Sequence, residues 1–268
     1  MRIYLVGLVL YCSASWSQEV GFSPNDIHKL HSVTDVRISP NGLNILYVES
    51  DASGTGQPTL QLKLYERKYS RSRVFSKLFQ SGYHARWSPD GSKVAFLGIH
   101  KGKFGLIVAD ALGNKGEFLT EVSGTNHPLP SSGERLAWSP DSNSIAFLSS
   151  VPGPESEETS SDPVVIRRYL YKPTASEGMT RFNDNRRVHI FIVDLGTHEI
   201  RELTSGDYYE HSLSFSPNGH DLLFVSNREF DPDRNFNYDI FVVDIRSDQI
   251  RRLTATENAE YRPVFSPD

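Results

Sequence analysis

Arg86-Trp87-Ser88-Pro89-Asp90-Gly91-Ser92-Lys93-Val94-Ala95-Phe96-Leu97 is a turn placed between two strands. Proline presets φ at the second turn position, aspartate can bond its own backbone, and glycine accepts positive φ. The apolar run that follows is β-branched and aromatic, as a buried strand requires. The pattern returns. Val36 to Val48 reads V-R-I-S-P-N-G-L-N-I-L-Y-V, Leu136 to Leu148 reads L-A-W-S-P-D-S-N-S-I-A-F-L, and Leu213 to Val225 reads L-S-F-S-P-N-G-H-D-L-L-F-V. A further copy opens at Val264-Phe265-Ser266-Pro267-Asp268. The serines stand at 39, 88, 139, 216 and 266, so the intervals are 49, 51, 77 and 50 residues. A period near fifty is the mark of a repeat architecture.

Each repeat reads as four strands, A to D. In the second repeat they are Ala85–Trp87, Val94–Ile99, Leu106–Ala109 and Glu117–Thr120. The third strand has its own signature: Gly105 to Asp110, His189 to Asp194 and Asp239 to Asp244 line up, and each leads to a Leu-Thr pair. A four-stranded unit at this period predicts an all-β fold, a β-propeller of TolB-like or WD-like blades. A β-helix would need shorter repeats, and a sandwich would not repeat its turn chemistry. The sequence holds four such blades and the start of a fifth over residues 35–268, with an insertion at 150–187. Within that insertion Val151–Asp162 is rich in Pro, Glu and Ser, and Val164–Tyr171 reads as a strand.

Composition narrows the classes. The chain has 268 residues, 38% hydrophobic and 23% charged, as a globular protein does. A net charge of −5 gives no cationic excess for nucleic acid. A single cysteine, Cys12, excludes a disulfide framework. Residues 1–17 have the layout of a secretory signal peptide: Arg2, then the apolar run Ile3–Cys12, then small residues at alternate positions up to Ser17. Cleavage after Ser17 and a secreted or periplasmic location are expected. A buried N-terminal strand is the alternative. A lipoprotein site at Cys12 is disfavoured by the bulky Tyr11 before it. No run approaches the length of a membrane-spanning helix. Residues 18–34 form a lead-in, with a short helix at Asn25–Leu30 capped by Asn25 or Asp26 and showing Ile27 and Leu30 on one face.

In an antiparallel blade the A–B and C–D turns share one face of the disc, and the B–C and D–A loops share the other. The Ser-Pro turns are all A–B, whereas the long segments (Asp51–Thr59, Ser150–Arg187, Asn227–Tyr238) are all B–C. Loops on a rigid scaffold carry recognition, so the elaborated face is the expected working face. Arg167, Arg168, Arg181, Arg186, Arg187, Arg228 and Arg234 fall on or beside it, with Glu229 next to Arg228. They could receive a carboxylate or a facing domain, or form a solvated rim balanced by nearby acids. Arg167, Arg168, Arg186, Arg228, Glu229 and Arg234 are the candidate substrate- or domain-facing residues.

No catalytic residue, metal ligand or cofactor site is assigned. There is no G-x-S-x-G, no H-E-x-x-H and no phosphate loop. His28 and His31 read as a helix surface. Asp231, Asp233, Asn235, Asn237 and Asp239 alternate as calcium loops do, but Phe236 and Val242 stand where such loops need glycine and glutamate. The alternative is a loop held by side-chain-to-backbone turns.

The succession Asp162–Tyr171, Arg187–Leu195, Leu203–Glu210 and Ser226–Asp239, with Phe22–Ile27 and Asp35–Pro40 at the start, resembles the N-terminal propeller of the prolyl oligopeptidase family of serine peptidases, in its acylaminoacyl-peptidase and dipeptidyl-peptidase branch. The resemblance covers about residues 20 to 268. It implies a propeller of about seven blades that caps an α/β-hydrolase domain and limits substrates to short peptides. No triad residue can be carried over, because no position here matches. The chain stops inside a fifth blade, so it reads as a fragment or truncated product, inactive alone, whose partners are a peptide substrate and the missing hydrolase domain. A non-enzymatic TolB-like periplasmic propeller that binds a protein partner is the second reading.

Overall fold

A computed structural model describes residues 21–53, 58–127, 133–157, 163, 165–171 and 182–266. The expected signal peptide and Cys12 lie outside the described residues, as do Arg181, Val164 and residues 158–162 of the Val151–Asp162 stretch.

Among the described residues, sixteen strands form four antiparallel four-stranded sheets, each in simple sequence order. Blade 1 is β1 (His31–Ile38), β2 (Asn44–Asp51), β3 (Thr59–Glu66) and β4 (Arg71–Val74). Blade 2 is β5 (Gln80–Trp87), β6 (Lys93–His100), β7 (Lys103–Asp110) and β8 (Gly116–Glu121). Blade 3 is β9 (Leu136–Trp138), β10 (Ser144–Pro152), β11 (Arg186–Asp194) and β12 (Ile200–Glu202). Blade 4 is β13 (Glu210–Phe215), β14 (Asp221–Ser226), β15 (Asp239–Asp244) and β16 (Ile250–Arg252). The β-propeller fold expected from the repeats is the one observed.

The repeated turn explains its own sequence. Ser39, Ser88, Ser139 and Ser216 are buried at the ends of the first strands. Each hydroxyl donates to the Asn or Asp two residues on, at 2.8, 2.6, 2.5 and 2.7 Å. Each also accepts the N–H five residues on, at 2.9 Å in every copy. The fourth position has positive φ in all copies: Gly42, Gly91 and Gly219, but Ser142 in the third. Ser142 keeps the strained geometry and accepts the N–H of Asp90, on the neighbouring blade's turn, at 3.2 Å. The Leu-Thr pairs also find a reason: the hydroxyls of Thr204 and Thr254 accept the N–H of Ile190 (3.0 Å) and Ile240 (2.9 Å), continuing the ladder with a side chain.

These turns set an acid limit on stability. The Ser88 hydroxyl, followed by the Ser92 N–H, holds the Asp90 carboxyl down to about 2. Asp141 lies below its ordinary value through Ser139 and Asn143, and Asp194 and Asp244 through the N–H groups of Thr197 and Ser247. Carboxyls depressed in the folded state stabilise it above their unfolded pKa, and that contribution is lost as pH falls toward the folded value. The melting temperature should hold from pH 7 to about 5 and then fall between about 4 and about 2. Asp90→Asn should shrink that fall; a melting temperature unchanged down to pH 2 would contradict the assignment.

The core lies between the blades. One cluster joins blades 1 and 2 (Leu46, Leu62, Phe75, Phe96, Ile107), a second blades 2 and 3 (Leu97, Leu106, Leu136, Phe147), and a third blades 3 and 4 (Ile190, Leu213, Phe224, Phe241). Tryptophans stitch the first strands: Trp87 Nε1 donates to Arg37 O at 3.2 Å and Trp138 Nε1 to Arg86 O at 3.0 Å. Arg86 donates to Asp35 of blade 1 at 2.8 Å, and Arg37 to Glu134 before β9 at 2.7 Å. The first strands of blades 2 to 4 and Phe265-Ser266 of the fifth copy surround one cavity of about 450 Å³.

Three expectations are corrected. Residues 165–171 are not a strand. Their main-chain groups bond instead to an asparagine: Asn183 N–H to Tyr171 O at 2.8 Å, and Asn183 Nδ2 to Leu170 O at 2.9 Å. Strand pairing runs on to Pro152↔Arg186, so Arg186 and Arg187 are strand residues rather than loop residues. The lead-in helix is a 3-10 turn at Pro24–Lys29 whose capping partner is Ser23, with N and Oγ both bonded to Asp26 at 2.7 Å; Ile27 and Leu30 stay exposed.

Candidate functional site

The A–B and C–D turns do share a face. Ala111 N–H bonds Ser92 O at 3.0 Å, Leu195 N–H bonds Asn143 O at 2.9 Å, and Ile245 N–H bonds His220 O at 2.9 Å. The opposite face carries the long loops, and on blades 3 and 4 it holds a network of buried ions and rings.

Tyr209, just before β13, is its hub and is 4% exposed. His127 stacks on its ring at 3.6 Å with the planes 10° apart. The Tyr209 hydroxyl accepts from Arg168 Nη1 at 2.8 Å and from Arg187 Nη1 at 3.3 Å. Arg168 comes from the insertion and closes on Asp233 of the 227–238 loop, with Nε to Oδ2 at 2.7 Å. This paired guanidinium ties two separate loops together in bidentate geometry. Arg187 on β11 bonds Glu155 at 2.9 Å. Burial, and then Arg168, pushes the His127 imidazole down to about 4, so it is neutral near pH 7. Burial raises the Tyr209 phenol.

A second knot lies beside it. Glu210, fully buried on β13, meets His189 Nδ1 of β11 at 2.8 Å and accepts Arg228 Nη2 at 2.8 Å. The Arg228 guanidinium lies over the rings of Tyr208 (4.7 Å), Phe241 (5.2 Å) and Phe224 (5.4 Å). Cation–π contact and the carboxylate together compensate its burial.

The candidate residues therefore divide. Arg168 and Arg228 are turned inward, as is Arg186, which donates Nε to Ser150 Oγ at 2.8 Å and Nη2 to Ser150 O at 2.7 Å. Arg167, Glu229 and Arg234 stay near the surface: Arg167 is exposed, Glu229 pairs with Arg252 at 2.8 Å, and Arg234 pairs with Asp231 at 3.1 Å over the ring of Tyr169. Ile166, Tyr169, Phe182, Phe230 and Phe236 on the same loops are exposed. Tyr, Phe and Arg around buried ion pairs form the composition of a protein-facing surface.

Sequence reading missed Tyr209, His127 and Glu210, and placed Glu155 only among the acids balancing a solvated rim. Each lies far along the chain from its partner, and only Glu210 falls on a recognisable strand position. The alternating side chains of 231–239 point to arginines and backbone: Asp233 to Arg168, Asp239 to Arg252, and Asn235 Nδ2 to Asp231 O at 2.9 Å. Among the described residues no three His, Cys, Asp or Glu stand close enough to share a metal ion. Ser212 Oγ lies 2.8 Å from His211 Nδ1, but both residues are buried, so no substrate reaches that hydroxyl.

The fold and this face define a class: a β-propeller of the kind found in TolB and in peptidases. It is similar to the putative TolB of Agrobacterium tumefaciens, with TM-score 0.50 and 20% identity over 82% of this chain and 64% of that one. It is similar also to acylaminoacyl peptidase in complex with Z-Gly-Gly-Phe-chloromethyl ketone, with TM-score 0.60 and 15% identity over 85% of this chain and 33% of that one. In sequence it is 30% identical over 213 residues to the uncharacterized peptidase YuxL of Bacillus subtilis (strain 168), covering 76% of this chain and 31% of the relative. The chain thus spans about a third of the curated relative it matches. No family model matches it. The likeness to peptidase propellers is one of fold, and in sequence it extends to a peptidase of which this chain matches about a third.

Proposed function

We propose that this chain is the propeller portion of an exported serine peptidase, docking a catalytic domain and admitting only short peptides. The 30% identity to a peptidase carries the reading. The elaborated face supports it, because the Arg168–Asp233 clamp fixes the insertion and the exposed rings of Tyr169, Phe230 and Phe236 offer a docking rim. Acyl transfer through an activated serine would be the chemistry, supplied by sequence outside this chain. Arg167, Glu229 and Arg234 are the residues available to face that domain or its substrate. Export rests on the layout of residues 1–17, and the exported protein should begin at Gln18 by mass spectrometry.

The test is hydrolysis of acetyl-aminoacyl and dipeptidyl chromogenic substrates by the longest natural protein containing this sequence. Activity on short peptides is expected, with longer peptides excluded until the 153–185 segment is shortened. Absence of all hydrolysis overturns the reading. The TolB likeness favours a second one, a periplasmic propeller that binds a protein partner without catalysis; it predicts an inactive full-length protein.

A further inference from the structure

From residue 67 to residue 89 the chain carries six Lys or Arg and no Asp or Glu, in a protein of net charge −5. Four of the six stand together at the plain-face tip of blade 1. Arg67, Lys68 and Tyr69 form one 3-10 turn between β3 and β4, ended by Ser70 at φ 47°. Arg71 and Arg73 follow on β4. Arg67 ties this turn to the first turn of the blade: its N–H bonds Leu43 O at 3.1 Å, and its Nη1 donates to Gly42 O at 2.7 Å. Every residue from Arg67 to Ser72 is exposed, so the tip projects rather than encloses. Leu43 and Tyr69 are each 57% exposed beside the cations.

The charges of the tip do not cancel. Glu66 is its single acid; it is buried and meets Arg71 Nε at 2.9 Å and Arg73 Nε at 3.4 Å. Among the described residues neither Arg67 nor Lys68 has an ion-pair partner. Lys68 and Arg71 lie over the Tyr69 ring, at 5.3 and 5.0 Å. The adjoining turn, Ser39–Asn44, holds no acid. On the neighbouring blade, Asp90 is engaged by the hydroxyls of Ser88 and Ser92, and Asp110 by the N–H groups of Leu112, Asn114 and Lys115. Lys93 and Lys115 match those two acids in number. Four cations against the one carboxylate of Glu66 leave the tip three positive charges in surplus.

We propose that the tip of blade 1 docks on an anionic lipid surface. Lysine and arginine are drawn to an anionic leaflet, and an exposed tyrosine sits at headgroup level with its ring toward the acyl chains. Tyr69 stands among the cations, and Leu43 adds an apolar contact. A projecting turn of exposed cations suits a flat charged sheet. An acidic strand is served less well, because the carbonyls of Val74 and Phe75 on that edge already accept Arg73 Nη1 at 3.1 Å each. The tip lies opposite the long loops, so docking would leave the elaborated face free. The proposal does not depend on the peptidase reading.

Co-sedimentation of the longest natural protein containing this sequence with vesicles tests it. Vesicles of phosphatidylglycerol in phosphatidylcholine should bring the protein down, and phosphatidylcholine alone should not. Binding should fall between about 50 and about 500 mM salt. Lys68→Glu should weaken it by about tenfold or more, and Tyr69→Ala should weaken it at unchanged charge. Lys101→Glu makes the same charge change at an exposed position on the opposite face; it should leave binding as it was. None of the three should lower the melting temperature. No binding to the anionic vesicles, equal binding to neutral ones, equal losses for Lys101→Glu and Lys68→Glu, or release of the vesicles by soluble polyglutamate at matched ionic strength each overturns the proposal; the last would assign the tip to an acidic protein.

Discussion

Glu210→Ala should destabilise the chain by about 3–5 kcal/mol, the range for stranding a buried charge. Glu210 is fully buried, and its two oxygens serve different elements: His189 on β11 of blade 3 and Arg228 at the start of the 227–238 loop. Without the carboxylate, Arg228 keeps its ring contacts but loses its counter-charge, with its side chain only 17% exposed. Attraction between buried ions barely offsets their dehydration, so the loss of one partner costs far more than the pair contributes. The double variant Glu210→Leu with Arg228→Leu should therefore recover most of the loss. Urea unfolding of both single variants and the double variant measures the coupling. If the double variant is as unstable as the two singles added together, the pair is not a unit and the assignment fails.

Phe96→Ala should cost about 3–5 kcal/mol, as large aromatic truncations in cores do. Phe96 is 2% exposed on β6. It meets Phe75 edge-on at 5.8 Å and Phe79 at 5.8 Å, both in the segment that joins blade 1 to blade 2. Its removal opens a void between sheets that neither backbone can close. Ile38, also apolar and on a first strand, is 64% exposed, so Ile38→Ala should cost less than about 1 kcal/mol. Thermal unfolding of the pair shows whether the core lies between the blades; equal losses would contradict it.

What could be read from the sequence was local. A serine bonding two and five residues ahead is a contact within one turn, so it recurs as a string and can be counted. The same holds for the strand-ending aspartates and the Leu-Thr pairs. A second repeated device left no string. Four residues before four of the five turn serines, Ser139 being the exception, the backbone takes positive φ, in Asp35, His84, Ser212 and Arg262. In the first, second and fourth blades it shifts the register of the first strand. These four side chains share no chemistry, because a bulge constrains the backbone and leaves the side chain to its surroundings. The candidate site was half legible for the same reason. Arg168 and Arg228 stood out by falling on long loops, but their partners Asp233 and Glu210 are 65 and 18 residues away, a matter of packing. The run Val164–Tyr171 misled because β-branched and aromatic residues favour strands only where a neighbouring strand is present to receive them.

Placing the apolar contacts between sheets makes each blade dependent on its neighbours in the chain and on little else. Stability then accumulates like links in a one-dimensional array, with a cost at each uncovered end. Blades 2 and 3 are held on both sides. Blade 1 has Val36 and Ile38 open on its first strand. Amide exchange should accordingly be slowest in β6 and β10 and quicken toward β1. A chain built this way can gain or lose a blade in evolution by changing two interfaces, with no need to redesign a shared interior.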